Sequence, residues 1–210
     1  MPLYKNITVD QDTKIAIWKV EEPLEQLQEA VQLTPHCEAR FKCMKSLLHQ
    51  RAFLSIRHLL ASFGYVDHDM YYDDFGKPHL HNGKYISITH SYNFTAIILS
   101  SKTPVGIDIE MQRDKILRIA SKFTPLKEYY TLANEDAIMR KLTIVWGAKE
   151  SLYKIYGEKG LSFLQHINVT DFDFEDNKTT AQINYRGEKS TYQVVFTEFE
   201  GFTCVYGLKD

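Results

Sequence analysis

Apolar positions recur along the first half of the chain at spacings typical of strands and then of helices. Short apolar stretches at Ile7–Val9 and Lys14–Val20 predict strands. A spacing near 3.6 predicts a helix over Glu21–Leu33 and one long amphipathic helix over Glu38–Phe63, with Gly64 as its stop. A polar loop follows, and alternation then predicts a hairpin that ends the first half near residue 101.

The second half repeats this order of elements. A strand is predicted over Val105–Met111, and a helix over Ile116–Leu132 that Pro125 breaks or kinks. A long helix over Asp136–Tyr156 ends near Gly157. Four strands are predicted to close the chain: Ile167–Phe174, Thr180–Tyr185, Thr191–Phe199 and Phe202–Leu208. The repeated order predicts two similar α+β halves, residues 1–104 and 105–210, without a linker between them.

Composition limits the classes of protein to consider. Hydrophobic residues make up 44% and charged residues 25% of 210 residues, and the net charge of −2 argues against nucleic-acid binding by bulk charge. No stretch reaches the roughly 18 apolar residues of a membrane span, and the N-terminus lacks a secretion-signal pattern. Three cysteines without a CxxC pair are typical of free thiols, so a cytoplasmic location is expected.

A basic segment lies between His36 and Leu60. It holds five cationic side chains against the single acid Glu38: Arg40, Lys42, Lys45, Arg51 and Arg57. Such a run is either a solvated helix face or a surface that faces phosphate or an acidic partner, and composition leaves both open.

Two carboxylates lie two residues apart in the motif VGIDIE. On a strand, Asp108 and Glu110 share one face, and their repulsion disfavours burial without a cation. Mg²⁺ takes carboxylate oxygens and keeps water or phosphate in its other positions. The alternative is a strand end whose two acids face solvent.

The motif WGAKESLYK lies inside the second long helix. Trp146, Glu150 and Lys154 recur every four residues and therefore share a face. Glu150 and Lys154 alone are also typical of a surface ion pair. The tryptophan favours a partly covered face, on which Glu150 is a metal ligand or base and Lys154 a phosphate contact.

Two shorter motifs, GKP around Lys77 and THS around His90, precede these helices and strands. Taken alone, Lys77 is consistent with a solvated turn and His90 with a structural histidine. A zinc site formed by His79, His81 and His90 is not expected, because no further ligand completes it convincingly.

The order of the motifs is more specific than any one of them. GKP, then I-(S/T)-H-S, GIDIE, WxxKES…K and the GEKGL segment Gly157–Leu161 resembles the 4′-phosphopantetheinyl transferases of the surfactin-synthetase-activating type. The resemblance runs from about Arg40 to about Val169. The family usually has Ser where this chain has Thr89, which keeps the hydroxyl, and Arg51 falls on a family arginine.

The resemblance implies a fold of two α+β halves related by a pseudo-twofold axis, with coenzyme A in the cleft between them. It implies that Asp108, Glu110 and Glu150 hold Mg²⁺ and that Glu150 and Lys154 are catalytic. Glu150, a metal-bound water or the less firmly matched Glu128 would be the base. Coenzyme A would be bound by Arg51, Lys77, Thr89, His90, Asp108 and Lys154.

The implied reaction moves a 4′-phosphopantetheine arm from coenzyme A to a serine of an apo acyl or peptidyl carrier protein. A monomer that contacts neither membrane nor nucleic acid is expected. A coenzyme A or carrier-protein binding module without activity is the main alternative, and a metal-dependent phosphohydrolase is another.

Overall fold

A computed structural model describes residues 3–125 and 134–209 of the chain. Contacts divide the chain into two compact units, Met1–Lys102 and Thr103–Asp210, called unit 1 and unit 2 below. Each unit combines an antiparallel sheet with helices, so the predicted α+β class is confirmed. No helix within the described ranges is long and apolar enough to cross a membrane.

Unit 1 is built on an antiparallel sheet with the strand order β1-β2-β6-β5 and a separate short hairpin, β3-β4. The strands are β1 Leu3–Thr8, β2 Thr13–Lys19, β3 Met70–Tyr72, β4 Pro78–Leu80, β5 Tyr85–Ser91 and β6 Phe94–Ser100. The helices are α1 Leu24–Gln28, α2 Pro35–Lys42 and α3 Leu47–Ser62. Helix α3 packs on β6 and β2, where its apolar face meets Ala16, Trp18 and Ile97 in the core.

The prediction of one long helix over Glu38–Phe63 is wrong, because two capped helices occupy this region. The Thr34 hydroxyl accepts from the Cys37 N–H at 3.3 Å and begins α2. The Ser46 hydroxyl accepts from the His49 N–H at 3.4 Å and begins α3. The prediction of a helix over Glu21–Leu33 is too long, because α1 begins only after Pro23 and buries a single residue, Leu27.

One residue of the basic segment belongs to the core of unit 1. Arg57 is 4% exposed, and its Nε donates to Asp67 at 2.9 Å. The same carboxylate accepts from the Thr34 N–H at 2.8 Å and thereby supports the start of α2. The basic segment is therefore not one continuous surface, and Arg57 cannot face a partner.

Unit 2 is built on an antiparallel sheet with the strand order β7-β11-β10-β9-β8, and α5 packs across β7 and β11. The strands are β7 Val105–Met111, β8 Ile167–Val169, β9 Lys178–Tyr185, β10 Glu188–Phe199 and β11 Phe202–Lys209. The helices are α4 Lys115–Ile119, α5 Glu135–Tyr156 and α6 Phe163–His166.

The sequence pattern correctly predicts β7 and, within one residue, α5. Strand β8 is shorter than predicted: it ends at Val169, and a 3-10 turn follows at Phe174–Asp176. The predicted helix over Ile116–Leu132 begins with α4 and continues as a 3-10 turn, and its last part lies outside the described residues. The hairpin β3-β4 lies in a stretch for which the pattern predicts only a polar loop.

Two glycines allow α5 to lie very close to the sheet of unit 2. A Cβ atom at Gly106 on β7 would clash with the carbonyl of Ser151 on α5. A Cβ atom at Gly147 on α5 would lie 2.7 Å from Cγ2 of Val205 on β11. The close approach brings the polar face of α5 next to the acidic end of β7.

Candidate active site

The two acids of β7 lie on the strand face that α5 covers. Asp108 is only 5% exposed and Glu110 is half-buried, while Ile107 and Ile109 point the other way into the core. The alternative of two solvent-facing acids at a strand end is therefore wrong for Asp108.

Lys154 on the last turn of α5 forms an ion pair with the buried Asp108. Its Nζ donates to Oδ1 of Asp108 and to the Ile107 carbonyl, both at 2.8 Å. Gly157, in a left-handed conformation, ends the helix directly after this turn. Within the described ranges no ion pair joins Lys154 to Glu150, so the simple helix-surface pair is not observed.

Glu150 is the third acid of the cluster, and its environment disfavours its charge. Its pKa is raised from 4.5 to about 7, first by burial and then by the negative charges of Asp108 and Glu110, while the positive charge of Lys154 opposes the shift. The three acids and the lysine, expected together from the sequence, therefore interact electrostatically in unit 2. Glu128 lies outside the described residues.

The chemistry of these donors fits a hard divalent cation. Three carboxylates and one lysine leave an excess of negative charge that Mg²⁺ neutralises, and carboxylate oxygen is its preferred protein ligand. In residues 3–125 and 134–209, no three His, Cys, Asp or Glu side chains form a preassembled metal site. The cluster therefore fits Mg²⁺ only as an open, partial ligand set that needs further ligands.

Replacing Glu150 should stabilise the protein at alkaline pH. Because the folded pKa of about 7 exceeds the usual 4.5, the favourable contribution of protonated Glu150 is complete below about pH 4.5 and is lost as pH rises through 7. We expect Glu150→Gln to raise the free energy of unfolding at pH 8 by about 1–3 kcal/mol, with much less difference at pH 4.5. Urea unfolding with a metal chelator present measures this, and a pH-independent difference would contradict it.

A small cavity adjoins the acid cluster. Its volume is about 120 Å³, and Glu110 and Trp146 line it together with apolar side chains and two cations from the chain after β7, Arg113 and Lys115. These two cations are not among the site residues predicted from the sequence. The signal that marks them is their position directly after the GIDIE strand, where the chain leaves the sheet.

A larger cavity of about 380 Å³ lies in unit 1 beside the GKP and THS motifs. Gly76, Pro78 and His90 line it, and so do Arg40 of the basic segment and His49, which was not predicted from the sequence. The rings of His49 and His90 lie 5.7 Å apart, and the Arg40 guanidinium lies 4.8 Å from the ring centroid of Tyr72. Cationic and aromatic side chains on one wall suit a phosphorylated, planar ligand.

The other residues predicted to bind coenzyme A have different surroundings. Nη2 of Arg51 donates to the Val20 carbonyl at 3.0 Å. Burial lowers the pKa of Lys77, and the charge of Asp73 opposes this shift. Thr89 is 5% exposed on β5. The structure thus brings His90 to the cavity wall beside Gly76 and Pro78, while Arg51 contacts the chain after β2.

Comparison with known proteins supports the resemblance that the order of the motifs indicates. Residues 104–206 match the family model of the 4′-phosphopantetheinyl transferase superfamily, and this range lies entirely in unit 2, which carries the acid cluster. About half of the chain is therefore similar to this superfamily, which agrees with the resemblance predicted from the sequence. It is 29% identical over 135 residues to the 4′-phosphopantetheinyl transferase gsp of Aneurinibacillus migulanus. That alignment covers 63% of this chain and 54% of the relative, so the chain spans about half of the relative's length.

Proposed function

We propose that the protein transfers 4′-phosphopantetheine from coenzyme A to a serine of an apo acyl or peptidyl carrier protein. The observation that carries the proposal is the cluster of Asp108, Glu110, Glu150 and Lys154 inside the region that matches the family model. The name of the curated relative supports the same reaction.

The reaction is a displacement at phosphorus. The serine oxygen of the carrier attacks the phosphorus that bears the pantetheine arm. The bond from this phosphorus to the bridging oxygen breaks, and adenosine 3′,5′-bisphosphate leaves. The enzyme's tasks are to position the two substrates, to neutralise charge and to accept the serine proton.

Glu150 suits the role of proton acceptor. A general base works best when its pKa lies near the operating pH, and burial raises that of Glu150 to about 7. Lys154, held at Asp108, supplies a positive charge for the leaving side of the diphosphate. Asp108, Glu110 and Glu150 would hold Mg²⁺, which when bound polarises phosphoryl oxygens as a Lewis acid.

The cavity of unit 1 would bind the nucleotide end of coenzyme A. His90 and Arg40 on its wall offer charge-assisted hydrogen bonds to a phosphate, and Tyr72 offers an aromatic face. Wild type should therefore prefer coenzyme A over dephospho-coenzyme A, which lacks the 3′-phosphate.

We expect His90→Ala to shrink that preference about tenfold, since one charge-assisted bond is lost at an exposed position. The ratio of kcat/KM for the two donors measures it. His81→Ala is the matched control, because His81 is an exposed histidine stacked on Tyr71 beyond the cavity wall and should leave the ratio unchanged. If His90→Ala weakens both donors equally, His90 has only a structural role.

Intact mass of an apo carrier protein tests the proposed function. With coenzyme A and Mg²⁺, the carrier should gain one phosphopantetheinyl group, and neither a chelator-treated sample nor a carrier with its serine replaced by alanine should do so. A binding module would leave every carrier unmodified. A phosphohydrolase would cleave coenzyme A in the absence of carrier.

A further inference from the structure

One buried lysine of α5 is not used by the proposed chemistry. Lys149 precedes Glu150 and is 2% exposed. Its Nζ donates to the carbonyl oxygens of Phe123 at 2.6 Å, Phe163 at 2.7 Å and Ile167 at 2.6 Å. Three acceptors require three N–H donors, and only the ammonium form carries three. A full positive charge is therefore buried and bonded to the main chain.

The three carbonyls belong to separate segments of unit 2. Phe123 follows the 3-10 turn after α4, Phe163 begins α6, and Ile167 begins β8. A single ammonium group on α5 thus bonds to main-chain carbonyls of three other segments. Charge-assisted hydrogen bonds are about twice as strong as neutral ones, so Lys149 holds the three segments firmly against α5.

Two of these segments contribute the rings that surround Trp146. Phe123 meets Trp146 edge-on with ring centroids 5.1 Å apart, and Phe163 lies 5.3 Å from it. Trp146 is three residues before Lys149, on a neighbouring position of the same helix. Trp146 in turn lines the 120 Å³ cavity beside Glu110.

We propose that Lys149 is a positioning residue for the transfer reaction, which holds Phe123 and Phe163 against Trp146 and so fixes the wall of the cavity beside Glu110. The inference rests on the proposed function for its kinetic part only. The contacts between Lys149, the two phenylalanines and Trp146 do not depend on it.

The same helix carries a matched control. Lys141 is 5% exposed, donates to the Phe172 carbonyl, pairs with Asp171 at 2.8 Å and lies 3.7 Å from the Phe172 ring centroid. It is a buried lysine bonded to main chain, like Lys149, but its ring partner is Phe172 rather than a neighbour of Trp146. Loss of either lysine should affect stability, whereas only loss of Lys149 should affect Trp146.

Three variants test the inference: Lys149→Met, Lys141→Met and Phe163→Leu. The last variant keeps Lys149 and its carbonyl bonds and removes one ring, so it tests the step from the Phe163 ring to Trp146 even if Lys149→Met fails to fold. Each is made in a Trp18→Phe background, which leaves Trp146 as the fluorescent tryptophan. Steady-state kinetics and emission spectra are measured well below each melting temperature.

We expect Lys149→Met and Phe163→Leu to lower kcat about ten- to a hundredfold while KM for coenzyme A changes less than about threefold, since misplaced groups cost rate rather than nucleotide binding. Trp146 emission should move to longer wavelength in both variants, and Lys141→Met should show neither effect. Equal losses of kcat in the two lysine variants, or unchanged Trp146 emission, would overturn the proposal. If wild type transfers nothing, the proposed function fails, and the emission spectra still decide whether Lys149 positions Trp146.

Discussion

Asp108→Ala should abolish transfer, with a loss of at least about a thousandfold in kcat/KM and of the Mg²⁺-dependent part of coenzyme A binding. Asp108 is 5% exposed and pairs with Lys154, so the substitution removes both a buried anion and the ion-pair partner of Lys154. A metal ion and a nearby positive charge stabilise the transition state by several kcal/mol, and losing that stabilisation lowers the rate by a factor of this size.

Asp108→Asn removes the negative charge but keeps a side chain of similar shape, with an oxygen that can accept a hydrogen bond from Lys154. It therefore tests the role of the charge alone. We expect it to lose transfer nearly as completely as Asp108→Ala. Asp171→Ala is the matched control, since it removes the carboxylate partner of Lys141, another lysine of α5, and should leave activity near that of wild type. Titration of coenzyme A with and without Mg²⁺ provides the readout, and wild-type activity in Asp108→Asn would refute the metal assignment.

Glu150→Gln should lose more turnover than Lys154→Ala. In the proposed mechanism the glutamate would both bind the metal and accept the proton, so we expect a loss of about 10³–10⁴ in the single-turnover rate. Loss of the positive charge of Lys154 should cost about 10². Both side chains are half-buried, and Lys154→Ala also removes the ion-pair partner of the buried Asp108, so the folding of each variant has to be measured.

Single-turnover rates of the two variants at saturating coenzyme A make the comparison, with melting curves to establish that both are folded. The opposite order, with Lys154→Ala the slower enzyme, would refute Glu150 as the base and leave it as a metal ligand alone.

The elements that carry the acid cluster were predictable from sequence because their patterns are local. Alternation around Ile107 and Ile109 defines β7, and helical spacing over more than five turns defines α5. The shared face of Asp108 and Glu110 follows from the two-residue period of a strand.

Other features were not predictable, since they depend on contacts between distant parts of the chain. The i,i+4 spacing suggests Glu150 as the partner of Lys154, yet the structure pairs Lys154 with Asp108 on a separate strand. The burial of Lys149 is likewise invisible locally, because its three acceptors are main-chain carbonyls, which leave no signature in the sequence.

The ends of helices and strands are predicted wrongly where a capping residue or a very short element determines them. The apolar spacing continues in phase across Cys43–Ser46, so periodicity alone does not separate α2 from α3. Ser46 supplies the cap, but serine is also common elsewhere in polar sequence. The strands of the β3-β4 hairpin have three residues each, which is too short for an alternating pattern to emerge.

Transfer of phosphopantetheine by this protein is tested most directly by quantifying both products of one reaction. The protein is incubated with coenzyme A, Mg²⁺ and an apo carrier protein, and the amounts of phosphopantetheinylated carrier and of adenosine 3′,5′-bisphosphate are followed over time. We expect both amounts to rise together in a one-to-one ratio and both products to be absent with Asp108→Asn. Nucleotide release without modified carrier, or no reaction with any carrier offered, would contradict this expectation.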